Sequence, residues 1–279
     1  MTRVRLGAVG YLNARPLVYG LDRQPLFDLR YDIPSECARL LHARSIDVGL
    51  IPSIEYLRGP QPYAIVPGPA VTSRGAVASV AIYTAREPKD IRSIAMDTSS
   101  RTSVALATVM LKRAFGVTAE AVPMAPELDT MLARADAALI IGDNALFLDP
   151  QSAIRNPQSA IHKIDLGALW TDSTGLPFVY AVWTGWPEAL GREAVAALQQ
   201  ARDEGIAHAD EVAAAYYPDD AGRQAVAKRY LRDNIQYVLG DDELEGLRLF
   251  YRYAADAGLV ADRPLRFFQA GPTGPALQL

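Results

Sequence analysis

One cysteine among 279 residues, Cys37, leaves the chain without an intrachain disulfide. That excludes the small stapled scaffolds of oxidising compartments and fits a reducing one. Cys37 falls among Ala38, Leu40 and Leu41 on an expected helix, the setting of a core thiol rather than a nucleophile. Histidine is scarce too, and His42, His162 and His208 are scattered without zinc-ligand spacing. No metal site is expected, and no chemistry resting on a histidine. The Gly-x-Ser-x-Gly elbow, the phosphate-binding P-loop and the Gly-x-Gly-x-x-Gly fingerprint are all missing. No apolar run approaches the roughly 20 residues of a membrane helix, so no membrane partner is expected. The start, Met1-Thr-Arg-Val-Arg-Leu-Gly-Ala-Val-Gly10, enters a strand-like run without the apolar stretch of a signal peptide, and a cytoplasmic location follows as an expectation. Lys and Arg total 28 against 32 Asp and Glu, a net charge of −4 with no dense basic run. Nucleic acid is therefore not an expected partner.

What is present is an alternation of strand-like and helix-like segments. Val4–Val9, Phe27–Asp32 and Ile46–Ile51 read as strands, separated by a short helix at Pro16–Leu21 and another at Ser35–Arg44. Pro52-Ser53 opens a further helix. Later come the strand Ser93–Met96, the helix Val104–Phe115 closed by Gly116, the strand Glu120–Val122, the helix Glu127–Ala133 and the strand Ala137–Ile141. This βαβ order points to α/β layers with mainly parallel sheets. Two longer extended segments, Ala76–Thr84 and Leu176–Thr184, interrupt it. Either they form a strand pair within one sheet, or they cross between two lobes. The second reading gives a discontinuous first lobe, 1–83 and 185–279, with 84–184 as the second. The C-terminal region reads as helices at Glu188–His208, Gln224–Leu239 and Asp242–Ala257, bracing the first lobe with charged faces toward solvent. A tandem duplication, Pro150–Asn156 followed by Pro157–Lys163, reads as a surface excursion, since two copies make no solenoid.

Chemistry concentrates at strand ends, where crevices of open α/β sheets form. The segment Asp97–Ser103 joins a strand to a helix and carries Ser99, Ser100, Arg101, Thr102 and Ser103. Unpaired helix amides, hydroxyls and a guanidinium together make a receiver for a carboxylate or phosphate. Helix capping is the plainer use of the same hydroxyls. After the first strand, Gly10-Tyr-Leu-Asn-Ala-Arg-Pro16 offers Asn13, which either enters a pocket as donor and acceptor or simply makes a turn. Ser53 at the third strand's end and Ser79 on the first crossover are placed near the same cleft. On the other side Ile141-Gly142-Asp143 follows a buried strand. Gly142 allows close backbone approach, and Asp143 is either a helix cap or a ligand contact.

Taken in order, Gly10–Pro16, Asp47–Ser53, Ser99–Ser103, Ala138–Asp143 and Gly175–Trp183 resemble the chorismate dehydratase family over about two thirds of the chain. The resemblance implies a two-lobed α/β fold similar to type II periplasmic binding proteins, with two crossover strands and the ligand held between lobes. It implies dehydration of chorismate to 3-[(1-carboxyvinyl)oxy]benzoate, on the futalosine route to menaquinone, without metal or organic cofactor. Asn13 matches the family's active-site asparagine. Ser79, Thr102 and Ser103 match polar positions lining the cleft. Ser53, Ser100, Arg101, Gly142 and Asp143 are further expected substrate contacts. A sister family, the 1,4-dihydroxy-6-naphthoate synthases, carries a histidine where Gly142 stands, which argues against that activity. A non-enzymatic solute-binding protein for a small carboxylate is the other alternative.

Overall fold

The computed structural model describes residues 3–60, 62–149 and 160–269. Strand β1 (Val4–Val9) leads through a 3-10 helix (Leu12–Val18) to β2 (Phe27–Asp32), α1 (Pro34–His42), β3 (Val48–Pro52), α2 (Glu55–Arg58) and β4 (Ala64–Ser73). Next come β5 (Val80–Thr84), β6 (Ser93–Asp97), α3 (Thr102–Phe115), β7 (Glu120–Met124), α4 (Leu128–Leu132) and β8 (Ala137–Ile141). They are followed by α5 (Gly142–Leu146), β9 (His162–Asp165), α6 (Leu166–Thr174) and β10 (Phe178–Gly185). The last elements are α7 (Arg192–Ala207), α8 (Ala209–Tyr216), α9 (Ala221–Arg229), β11 (Gln236–Val238) and α10 (Asp241–Asp256). Among the described residues no helix is long and apolar enough to cross a membrane.

The strands form two sheets, ordered β11-β4-β10-β3-β1-β2 and β7-β6-β8-β5-β9. Within each, the βα units pair in parallel, β1 with β2 and β3, and β6 with β7 and β8. The chain passes from the first sheet to the second after β4 and returns after α6. Strands β5 and β10 run antiparallel to their neighbours because each enters its sheet from the other one. Both sheets are therefore mixed rather than mainly parallel. Strand β5 pairs in the second sheet and β10 in the first.

Three segments differ from the sequence reading. Strand β4 is central although it contains Pro67-Gly68-Pro69; register shifts against β10 and a φ of +100° at Gly68 mark a bulge that accommodates them. Gln224–Leu239 is not one helix. Helix α9 stops at Arg229, a π-helical turn covers Tyr230–Asn234, and β11 pairs with β4, burying Tyr237 between exposed Gln236 and Val238. Sheet pairing overrides helix propensity there. The end of the duplication, His162 and Lys163, is part of β9 and not of a loop, because it pairs with Thr84 and Tyr83 of β5. Residues 150–159, and with them the expected surface excursion, lie outside the described residues.

A core of buried aromatics ties the C-terminal helices to the first sheet. Trp170, Phe178 and Phe250 lie with ring centroids 4.9–6.1 Å apart in edge-on contacts, joining α6, β10 and α10. Each such burial contributes roughly 1.5–3 kcal/mol. Helix α7 packs on β4 and on the 3-10 helix after β1, and that second contact fixes one wall of the site.

Candidate functional site

A cleft of about 550 Å³, open solvent at its mouth included, lies between the carboxyl ends of the strands of the two sheets. Asn13 lines it from the 3-10 helix after β1, and Ser79 from the segment entering β5. Ser100, Thr102 and Ser103 line it from the start of α3, and Gly142 from the start of α5. The lining contains no Asp, Glu, His, Lys, Arg or Cys among the described residues. Its only ionisable groups are Tyr11 and Tyr180, and burial raises both hydroxyls above their ordinary value. The cleft wall is therefore neutral at physiological pH.

Ser79 is held on a strained backbone. The preceding Ala78 adopts φ +64°, a left-handed conformation costing a non-glycine residue about 1–2 kcal/mol. Asp165 fixes it, its carboxylate accepting from Val77 N at 3.0 Å and Ala78 N at 2.7 Å. Lys163 Nζ donates to the Ala78 carbonyl at 3.0 Å, and Gly142 N donates to the Ser79 carbonyl at 2.8 Å. The Ser79 hydroxyl lies 2.6 Å from that of Tyr230, a residue the sequence reading passed over inside an expected solvated helix.

At the start of α3 the expected receiver divides. Ser100 Oγ accepts from Ser103 N at 3.2 Å, a capping bond. The Ser103 hydroxyl has no partner within the described residues, and Ser103 lines the cleft. Thr102 lines the cleft but its Oγ1 accepts from Ile54 N at 3.2 Å, docking α3 onto the corner after β3. Ser99 turns to Asp97, whose Oδ1 accepts from its N and Oγ at 2.9 and 2.6 Å.

Three expected contacts point elsewhere. Ser53 is fully buried outside the cleft lining, donating to Val179 O at 2.8 Å, while its own carbonyl accepts from Tyr251 at 2.6 Å. Arg101 leaves the cleft and pairs with Glu55 at 3.0 Å, because a buried carboxylate attracts a cation more strongly than open solvent does. Asp143 accepts from Tyr216 OH at 2.6 Å and Leu12 N at 3.4 Å, tying α5 to α8 and to the loop after β1. It is neither cap nor cleft contact, and burial raises its carboxyl above the usual range. Gly142 does allow close approach: its φ is +62°, and a Cβ there would sit 3.2 Å from the Tyr11 ring.

Glu55 anchors a second network. Its side chain is fully buried and accepts from Arg58 Nη1 at 3.0 Å and Arg101 Nη1 at 3.0 Å, and lies 2.9 Å from His42 Nε2. Burial alone would raise its pKa, but the His42 bond and the two guanidinium groups outweigh that and hold it below 4.5. A carboxylate with a depressed folded value stabilises fully above its unfolded value and loses that contribution as pH falls through the folded one. Glu55→Gln should therefore cost about 2 kcal/mol at pH 7, with the gap from the parent narrowing below pH 4.5. Urea unfolding at pH 7 and pH 4 measures it; an equal gap at both would exclude the charged network.

A family model described as menaquinone biosynthesis matches residues 4–256. A chorismate dehydratase of Thermus thermophilus is 32% identical over 253 residues, covering 88% of this chain and 93% of that protein. Among solved structures, protein AF1704 from Archaeoglobus fulgidus superimposes with a TM-score of 0.73 at 18% identity, covering 92% of this chain and 98% of that one. The Candida albicans CA3427 product, described as having the generic periplasmic binding protein fold, gives 0.64 at 11% identity, with 95% and 92% covered. The ligand-binding component of an ABC-type import system from Staphylococcus aureus gives 0.64 at 10%, with 97% of each chain covered. These structures share the two-lobed fold, and at such identities the fold alone.

Proposed function

The chain belongs to the menaquinone biosynthesis family, and from that premise we propose that it is a chorismate dehydratase, a hydro-lyase of the futalosine route. The two sheets serve as two lobes, divided near residues 80 and 177, with chorismate between them. Identity of 32% to a chorismate dehydratase over 88% of the chain carries the reading. The neutral, hydroxyl-rich cleft supports it chemically.

Chorismate carries two carboxylates. One is received by the Ser103 hydroxyl at the start of α3, where the helix dipole favours an anion. The other lies toward Asn13 and Ser79. The ring C–H bond breaks, its electron pair completes the aromatic ring, and the adjacent C–O bond releases hydroxide. With no carboxylate, imidazole or amine among the described residues of the cleft wall, the proton acceptor is a substrate carboxylate oriented by Asn13, or water. Acceptor proton and hydroxide together make the water lost. Positioning of an internal base supplies on the order of 7 kcal/mol or more of barrier reduction.

Incubating the purified protein with chorismate and following 3-[(1-carboxyvinyl)oxy]benzoate by chromatography tests this. Product formation that saturates with chorismate is expected. Binding of chorismate without turnover would instead support a solute-binding protein.

A further inference from the structure

Tyr230 is the residue behind the site that no cleft contact accounts for. It is 2% exposed, on the π-helical turn between α9 and β11, and its hydroxyl sits 2.6 Å from Ser79 Oγ. Such turns interrupt the helical hydrogen-bond ladder and recur at functional sites. A phenol is a better donor than an aliphatic alcohol, so the tyrosine proton goes to Ser79 Oγ. Ser79 then has one direction left for its own proton, and it is a cleft-lining residue. Burial raises the tyrosine pKa, which keeps the hydroxyl protonated.

We propose that Tyr230 is a positioning residue, orienting Ser79 so that its hydroxyl donates to the substrate. This inference rests on the proposed dehydration of chorismate. The hydrogen bond between Tyr230 and Ser79 joins side chains 151 residues apart. A hydroxyl pinned from behind loses no rotational freedom at the moment of reaction, which is the source of preorganised stabilisation.

Steady-state kinetics on Tyr230→Phe, Ser79→Ala and the double variant test the proposal. Tyr230→Phe should lower kcat about 10- to 100-fold, with KM within about threefold, while the melting profile stays cooperative. The double variant should be no slower than Ser79→Ala, because residues acting as one unit are not additive. Unchanged kcat in Tyr230→Phe, or losses that multiply in the double variant, would overturn it. A loss of activity that only tracks the unfolded fraction would do the same. If Tyr230→Phe does not fold, the downfield proton spectrum of the parent protein decides. A shielded hydroxyl resonance lost in Ser79→Ala supports the contact, and a spectrum unaltered by Ser79→Ala refutes it. Parent protein inactive on chorismate would instead refute the functional reading, and the spectral comparison would still report on the contact.

Discussion

Asn13→Ala is expected to lower kcat about 10²- to 10³-fold while KM moves by less than about threefold. The asymmetry follows from where the two carboxylates of chorismate are held. In the proposed arrangement the other carboxylate lies at the start of α3, which the substitution does not touch. Asn13 lines the opposite wall, in the 3-10 helix after β1, and in the proposed mechanism its amide orients the group that takes the ring proton. Interactions that tighten only in the transition state raise kcat and leave ground-state binding nearly unchanged. Asn13 is half-buried, so its truncation should leave the melting temperature close to that of the parent. Rates and melting curves of the same preparation check the prediction. Equal losses in kcat and affinity, or an undiminished kcat, would remove Asn13 from the chemistry.

The second large effect is on stability. Gly205 lies in the last turns of α7, and a Cβ there would sit 1.9 Å from the Pro16 carbonyl oxygen. Pro16 belongs to the 3-10 helix that carries Asn13. Backbone meets backbone at that point, so no side chain can swing aside. Alanine ordinarily favours a helix over glycine by about 1 kcal/mol. Here the clash reverses the sign, and Gly205→Ala should cost about 3 kcal/mol or more. For a chain of this size the melting temperature should fall by roughly 6–12 °C. Whatever folds should also turn over more slowly, because separating α7 from the 3-10 helix displaces Asn13. Gly222 provides the contrast. It is exposed near the start of α9, and a Cβ would meet only the Asp220 carboxylate at 3.4 Å. Gly222→Ala should be neutral or slightly stabilising. Equal melting temperatures for Gly205→Ala and the parent would show that α7 does not press on the site.

Much of the architecture was legible because it is local. The βα alternation, the close of α3 at Gly116 with φ +68°, and the two extended segments where the chain changes sheets all follow from periodicity and caps. The loop from Gly10 to Pro16 and the hydroxyl run after β6 were placed at strand ends for the same reason. Strand β4 was not legible, because Pro67-Gly68-Pro69 has the composition of a turn and only the bulge against β10 makes it a strand. Strand β11 and Tyr230 were missed together, since the charges around them mimic a solvated helix.

The sequence alone determined the two-sheet α/β class, the family resemblance and the strand-end positions of Asn13, Ser79, Ser100, Thr102, Ser103 and Gly142. Tertiary structure decided which of the neighbouring polar groups face the cleft. Arg101 goes to Glu55 across 46 residues, Asp143 to Tyr216 across 73, and Ser79 to Tyr230 across 151. A side chain in a packed interior takes its direction from the partner that relieves its desolvation. That partner is set by how the sheets meet, and local spacing carries no trace of it.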